Sequence, residues 1–289
     1  MAEATAGRAP GSTRTRVQAG LDRLVAANRL TIAVVVPLVG AALLLASAAD
    51  RLPAALAFNP VLLLAGAAVM RLPLVAGLGP LVDRRAGLAL AALAAYTYAV
   101  EFVGVTTGLP YGEFSYGVAL GPMAAGVPLA LPLFFVPLVL DGYLLADRLL
   151  GSGPVPWWQR VPLAVGVVLA IDLVLDPAAV ALGFWEYGGP GVVGGVPLSN
   201  FRGWLLSAAV AVVLLEVGFD VPALRARART CPYLLDDLVS FVLLWGVVVA
   251  ATAAWLSVAV ALLVGLALVR TGSFPVDPLA HLPGPGGGR

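Results

Sequence analysis

Apolar runs of about 17 or more residues recur along most of this chain, and each is long enough to cross a bilayer as a helix. In hydrocarbon every backbone N–H and C=O must find its partner within the protein, so an all-α, polytopic transmembrane bundle follows. A β-barrel would alternate polar and apolar residues, and no such alternation is present. Only 11% of the 289 residues are charged, against roughly 25% in a soluble domain, so the runs are not buried helices of a water-soluble protein.

Seven spans are read, at 30–49, 54–70, 87–108, 126–147, 161–182, 203–220 and 238–269. The last is long for one crossing; it is a tilted helix, or it breaks near Trp255 and makes an eighth span. Residues 1–28 are rich in Arg, Ala, Gly and Thr, and residues 271–289 in Pro and Gly. Both read as disordered flanks of one transmembrane domain, 29–270. A signal peptide is the competing reading of the first apolar run, which ends in Ala46-Ser47-Ala48. The run exceeds a signal core and more spans follow, which favours a true first helix. With the N-terminus inside, thirteen arginines from Arg8 to Arg229 fall on the inner side, and Arg51, Arg202, Arg270 and Arg289 outside. This positive-inside bias predicts a multi-pass protein of the cell membrane with a cytoplasmic N-terminus, and puts loops 109–125 and 183–202 outside.

The net charge of +1 gives no pull toward nucleic acid. All basic side chains are Arg, so a Schiff-base lysine, and with it a retinal protein, is excluded. Cys231 is the single cysteine and allows no internal disulfide; the single histidine, His281, sits in the Pro/Gly tail, which excludes a histidine-based metal site. What remains is a set of carboxyl groups. Glu101, Glu113, Asp141, Asp172, Asp176, Glu186 and Glu216 lie inside or beside apolar stretches that carry no internal Arg. Carboxyl groups in hydrocarbon are costly and mark a functional site by default. Without cations, they are expected to share protons, hydrogen-bond, or hold a metal.

The two outer loops share a pattern. One reads Gly108-Leu-Pro-Tyr-Gly-Glu-Phe-Ser-Tyr and closes with Gly126-Val-Pro-Leu; the other reads Gly183-Phe-Trp-Glu-Tyr-Gly and closes with Gly195-Val-Pro-Leu. Each holds a Glu beside aromatics (Glu113, Glu186). This predicts a parallel repeat with a site at its interface, although Gly and Pro are also ordinary turn formers. Asp172 and Asp176 share one helix face, about 6 Å apart at Cβ. Pro177 follows, so Asp176 is expected to cap a short second helix, breaking the span there. The partial positive end of that half-helix would favour a charged Asp176. Asp172 has no such help. Insertion as a charge costs roughly 2.5–3.5 kcal/mol and neutralisation about 4 kcal/mol; the neighbouring carboxylate tips it toward the neutral acid. A structural hydrogen bond across helices is the competing account of Asp172.

Tyr98 and Glu101 share a face of the third span. Pro128, Pro132 and Pro137 are expected to bend the fourth. Asp141 and Glu216 lie toward inner helix ends, where solvation explains them as well as function does. Asp147 is expected to pair with Arg148. Asn200, Arg202 and Trp204 would complete a polar rim, with Arg202 bridging to Glu186 or Glu113.

From residue 96 to 216 these motifs resemble the CruF-type carotenoid hydratases. The resemblance rests on Glu101-Phe, the two loop motifs above, Leu120-Gly-Pro, Asp172-Leu-Val-Leu-Asp-Pro and Gly195-Val-Pro-Leu-Ser-Asn-Phe-Arg-Gly-Trp. It implies addition of water to the terminal C=C bond of an acyclic carotenoid end, with a membrane-embedded carotenoid as partner and other carotenoid-forming enzymes nearby. In the archaeal branch it implies conversion of bisanhydrobacterioruberin to bacterioruberin, a fifty-carbon pigment; in bacterial members the substrate is a forty-carbon carotenoid such as γ-carotene or lycopene. The Arg- and Ala-rich composition leans to the archaeal branch. The hydration chemistry requires no cofactor and no metal ligand is assigned, with carboxylates holding Mg²⁺ or Ca²⁺ as the variant reading. The residue roles come from the chemistry: Asp172 donates a proton to the alkene, Asp176 positions and deprotonates water, and Glu101 is a second acid or orienter. Glu113 and Glu186 would support from the loops, and Tyr116, Trp185, Tyr187 and Trp204 would stabilise the cation. A proton or ion transporter built on the same acids is the rival class, and a structural pigment-binding protein a third.

Overall fold

The computed structural model describes residues 13–275. The expectations for residues 1–12, for the tail from residue 276 and for His281 lie outside the described residues. Residues 13–27, expected to be disordered, form helix α1 (Thr13–Ala27). Gln18 Nε2 donates to Ala76 O at 2.7 Å and an Arg14 amine donates to Val82 O at 2.6 Å. Composition misses this helix because the surface that holds it lies more than fifty residues away in the chain.

A π-helical turn (Thr31–Val35) runs into α2 (Val36–Ala48). Helices α3 (Pro60–Met70) and α4 (Leu72–Leu78) meet at Arg71 and form one crossing. Then come α5 (Arg84–Thr107), α6 (Pro132–Leu149), α7 (Trp157–Ala181), α8 (Leu198–Gly218) and the short polar α9 (Val221–Thr230). The chain closes with α10 (Asp236–Ala251) and α11 (Trp255–Arg270). Asn59, Asp83 and Asp220 cap α3, α5 and α9 through side-chain oxygens that accept early backbone N–H groups. By length and composition, five helical segments can each cross a membrane: Thr31–Ala48, Pro60–Leu81, Arg84–Thr107, Trp157–Ala181 and Leu198–Gly218. The last apolar stretch is not one tilted span. It breaks at residues 252–254, where Ala253 has φ +56°. Helix α11 then returns antiparallel along α10, with Gly246 against Ala261 and Gly265 against Val242. Arg270 thereby joins the arginine-rich side of the bundle.

Glycines set the closest approaches. A Cβ on Gly142 of α6 would lie 2.5 Å from Val168 Cγ2 of α7, and one on Gly218 of α8 would lie 2.1 Å from Ala89 Cβ of α5. Small residues let helix backbones meet where lipid offers no hydrophobic drive.

Two expectations about proline are corrected. Helix α7 does not break before Pro177, and Asp176 caps nothing; the helix runs on to Ala181. Pro177 lacks the N–H that would bond Leu173 O, and Ser257 Oγ on α11 donates to that oxygen at 2.7 Å. In the fourth span, residues 126–131 are not helical, Pro132 opens α6, and only Pro137 lies inside it. The carbonyl Pro137 frees, Leu133 O, accepts from Arg71 Nε at 3.2 Å. Side chains of neighbouring helices satisfy what proline leaves open, so both helices continue.

The expectation of acids without cations is corrected as well. Arg71 is buried inside the α3–α4 crossing and pairs with Asp237. Arg160, in the first turn of α7, donates to Glu216 at 2.5 and 2.6 Å, and Tyr143 donates to the same carboxylate at 2.9 Å. Glu216 is therefore held by ion pairing, not by solvent. Asp147 pairs with Arg225 and Arg229 of α9, while Arg148 donates to Thr271 O. Arg29 grips Asp236 at 2.7 and 2.8 Å.

Candidate active site

The two outer loops repeat one another in backbone as well as in sequence. Gly108 ends α5 with φ +75°, and Gly183 follows α7 with φ +73°. Farther on, Ala125-Gly126 (φ +50°, +82°) and Gly194-Gly195 (φ +53°, +85°) make matching turns. The first joins β2 (Met123–Ala124) to β3 (Val127–Pro128), and the second joins Val193 to Val196. Positive φ at both central positions is the hairpin turn that strand twist favours. The loops then pair with each other. Strand β1 (Phe114–Tyr116) lies antiparallel to β4 (Trp185–Tyr187), with Phe114 opposite Tyr187, Ser115 opposite Glu186 and Tyr116 opposite Trp185. The register is symmetric about Ser115 and Glu186, so Tyr116 is the counterpart of Tyr187, and Phe114 of Trp185.

The same two-fold relation organises the acids. Glu101 stands seven residues before Gly108, and Asp176 seven before Gly183. Each accepts a hydrogen bond from the tyrosine of its own repeat: Tyr116 Oη donates to Glu101 Oε1, and Tyr187 Oη to Asp176 Oδ2 at 3.4 Å. Asn200 Nδ2 on α8 donates to that same Asp176 oxygen. Burial, then the nearby carboxyl groups, pushes both tyrosine hydroxyls well above the usual phenol range, so they remain donors. Asp172, one turn deeper on α7, is fully buried. Neither of its oxygens has a conventional hydrogen-bond partner, and Asp176 is the acid it interacts with. Trp185 Nε1 is also buried without an acceptor. Such atoms cost roughly 1–3 kcal/mol each, so they mark where a water or a reacting group belongs.

These groups edge a cavity that is partly open to the surroundings. Its walls are aromatic: Trp204 stacks on Phe135 with centroids 5.0 Å apart, and Phe184 meets Trp245 edge-on at 6.1 Å. Glu101, Asp176, Tyr116, Trp185, Tyr187, Asn200 and Trp204 all line it, with Asp172 directly beneath Asp176.

Three expected site residues do not join. Strand alternation turns Glu186 to the exposed face of the ribbon, opposite to Trp185 and Tyr187. Glu113 is exposed at the rim, where its carbonyl accepts from Gly188 N. Arg202 is exposed on α8 and forms no ion pair with Glu186 or Glu113 among the described residues. Tyr98 donates to Leu129 O rather than joining Glu101. Sequence reasoning missed a bracing network in which Tyr111 and Tyr96 reach Ser207 Oγ at 2.7 and 3.2 Å. It also missed Arg71, which lines the cavity with Asp141. Asp141, which solvation and function explain equally well from the sequence, is 2% exposed, which removes solvation. No three of His, Cys, Asp and Glu among the described residues are grouped as a metal site would need.

Fold and site together define a polytopic helical membrane protein that holds carboxyl groups in an aromatic cavity. Residues 58–268 match the family described as carotenoid biosynthesis protein, and this chain belongs to that family. It is 56% identical over 266 residues to a Haloarcula japonica protein named bisanhydrobacterioruberin hydratase, across 92% of this chain and 90% of that one. No solved structure matches the chain.

Proposed function

We infer that this protein is a carotenoid hydratase that adds water to the terminal C=C bond of an acyclic end group, converting bisanhydrobacterioruberin to bacterioruberin. The observation that carries the activity is the 56% identity across 92% of the chain. The cavity supports it: apolar aromatic walls suit a polyene end, and Glu101 and Asp176 line the same space.

Hydration of an unactivated alkene needs a proton on carbon and then water on the resulting tertiary cation. Asp172, as the neutral acid, gives its proton to the less substituted alkene carbon, and the π pair becomes the new C–H bond. Trp185, Tyr187, Trp204 and Tyr116 stabilise the cation by roughly 0.5–2 kcal/mol each. Water then bonds to the cation and releases a proton to Asp176, whose charge Asn200 and Tyr187 hold in place. That proton returns to Asp172 one turn away, and the pair is reset. Glu101 with Tyr116, the two-fold counterpart of Asp176 with Tyr187, orients the water from the other repeat. The protein sits in the cell membrane with its N-terminus inside, next to other carotenoid-forming enzymes.

The test is mass spectrometry of pigments from a carotenoid-producing host with and without this chain. Pigment heavier by one or more waters only when the chain is present is expected. Unchanged pigment with altered ion or proton flux would replace the hydratase with the transporter.

A further inference from the structure

The two outer loops differ by one short segment. Eight positions separate Gly108 from Tyr116, but four separate Gly183 from Tyr187, so residues 109–112, Leu-Pro-Tyr-Gly, have no counterpart in the second repeat. The acids differ in their donors as well. Asp176 accepts from Tyr187 and Asn200, whereas among the described residues Glu101 accepts from Tyr116 only. Counted from the shared Gly-Val-Pro-Leu, the place of Asn200 is taken by Leu131, whose side chain lines the cavity and has nothing to donate.

The extra segment brings Tyr111 to this side of the cavity. Tyr111 is buried and lines it. Its ring is held between α5 and α8: a Cβ on Gly104 would lie 3.3 Å from its Cδ2, and one on Gly203 would lie 2.5 Å from its Cδ1. The carboxyl groups that act on its hydroxyl through space are Glu101 and Asp172. Hydrogen counting fixes which way that hydroxyl points. Tyr96 Oη donates to Ser207 Oγ at 3.2 Å, and Ser207 Oγ lies 2.7 Å from Tyr111 Oη. A serine hydroxyl has one hydrogen to give and accepts as well. Ser207 is fully buried, and among the described residues Tyr111 Oη is the acceptor within its reach. Ser207 therefore donates to Tyr111, because a buried donor without a partner is costly. The hydrogen of Tyr111 is left open to the cavity.

We propose that Tyr111 is a catalytic residue whose O–H holds the attacking water between the two acids. The inference deepens the hydratase reading and rests on it. A water has two hydrogens and two lone pairs. Asp176 and Glu101 accept the hydrogens, Tyr111 donates to one lone pair, and the other lone pair faces the cation. That pair becomes the C–O bond while the proton nearest Asp176 passes to it. The inserted segment thus gives the Glu101 side the second donor that Asn200 gives the Asp176 side.

The test compares Tyr111→Phe with Ser207→Ala in membranes holding the full chain and an acyclic carotenoid with a terminal alkene, in heavy water. Both changes break the Tyr111–Ser207 bond, and Phe keeps the ring in place. Only Tyr111→Phe removes the group that holds the water. In heavy water the alkene carbon receives a deuteron, and the cation then captures water or loses a proton and returns as deuterated alkene. Mass spectrometry reads the ratio of deuterated alkene to alcohol, which does not depend on how much of a variant folds. Tyr111→Phe is expected to form alcohol roughly 10- to 100-fold more slowly and to raise that ratio by about tenfold or more. Ser207→Ala is expected to slow alcohol formation about two- to fivefold, since Tyr111 keeps its O–H. Equal slowing by both variants, as for a structural brace, overturns the proposal. So does a ratio in Tyr111→Phe within about threefold of the unaltered chain. If the unaltered chain makes no alcohol, the hydratase reading itself has failed.

Discussion

Asn200 gives the sharpest quantitative test of the reaction scheme. Its amide is buried at the entry to α8 and donates to Asp176 Oδ2. Asn200→Leu keeps the side-chain shape and removes the donor. A hydrogen bond to a charged group is worth about 1.5–3 kcal/mol. The remaining partner, Tyr187, stands 3.4 Å from the same oxygen, too far to take over that share. If water addition uses the charged carboxylate, the barrier rises by this amount, which slows hydration roughly 10- to 150-fold at about 1.4 kcal/mol per factor of ten. The assay is the rate of appearance of hydrated pigment in membranes, scaled to the amount of folded chain. A rate within twofold of wild type would refute the role given to Asp176, because that role requires its charge to be held.

Other outcomes follow from the same geometry. Tyr116→Phe is expected to slow hydration by roughly tenfold, and Tyr187→Phe by clearly less, since its bond to Asp176 is long; equal effects in the pigment assay would deny the ranking. Arg160→Leu strands Glu216, whose side chain is 12% exposed, and should cost about 3–5 kcal/mol; a thermal aggregation midpoint in detergent that does not fall would contradict this. Glu186→Gln and Arg202→Ala are expected to leave the hydration rate within about twofold of wild type, as surface changes away from a site do; a large loss in either would place the ribbon's outer face in the reaction.

The bundle itself was legible because lipid leaves the backbone few choices, and the repeat was legible because two left-handed glycines and a Gly-Val-Pro-Leu turn must be spelled alike to fold alike. Asp172, Asp176 and Glu101 could be picked out as carboxyl groups inside apolar runs. What failed depended on partners distant in sequence. Pro177 looks like a helix break until Ser257, eighty residues later, supplies the missing donor to Leu173 O. Arg71 looked like an inner loop residue because its acid, Asp237, lies more than 160 residues away. Glu186 carried the same aromatic signature as its neighbours, yet a three-residue strand sends alternate side chains to opposite faces, and the pairing that fixes which face comes from the other loop. Composition likewise read residues 13–27 alone, without the surface to which Gln18 is bonded.

The central claim is that the Asp172–Asp176 pair carries the proton to the alkene and the water to the cation. Mass spectrometry of pigments from hosts carrying Asp172→Asn, Asp176→Asn or the unaltered chain tests it most directly. Both variants should accumulate the dehydrated carotenoid while folding and inserting as the unaltered chain does. Fully hydrated pigment from both variants would contradict the account.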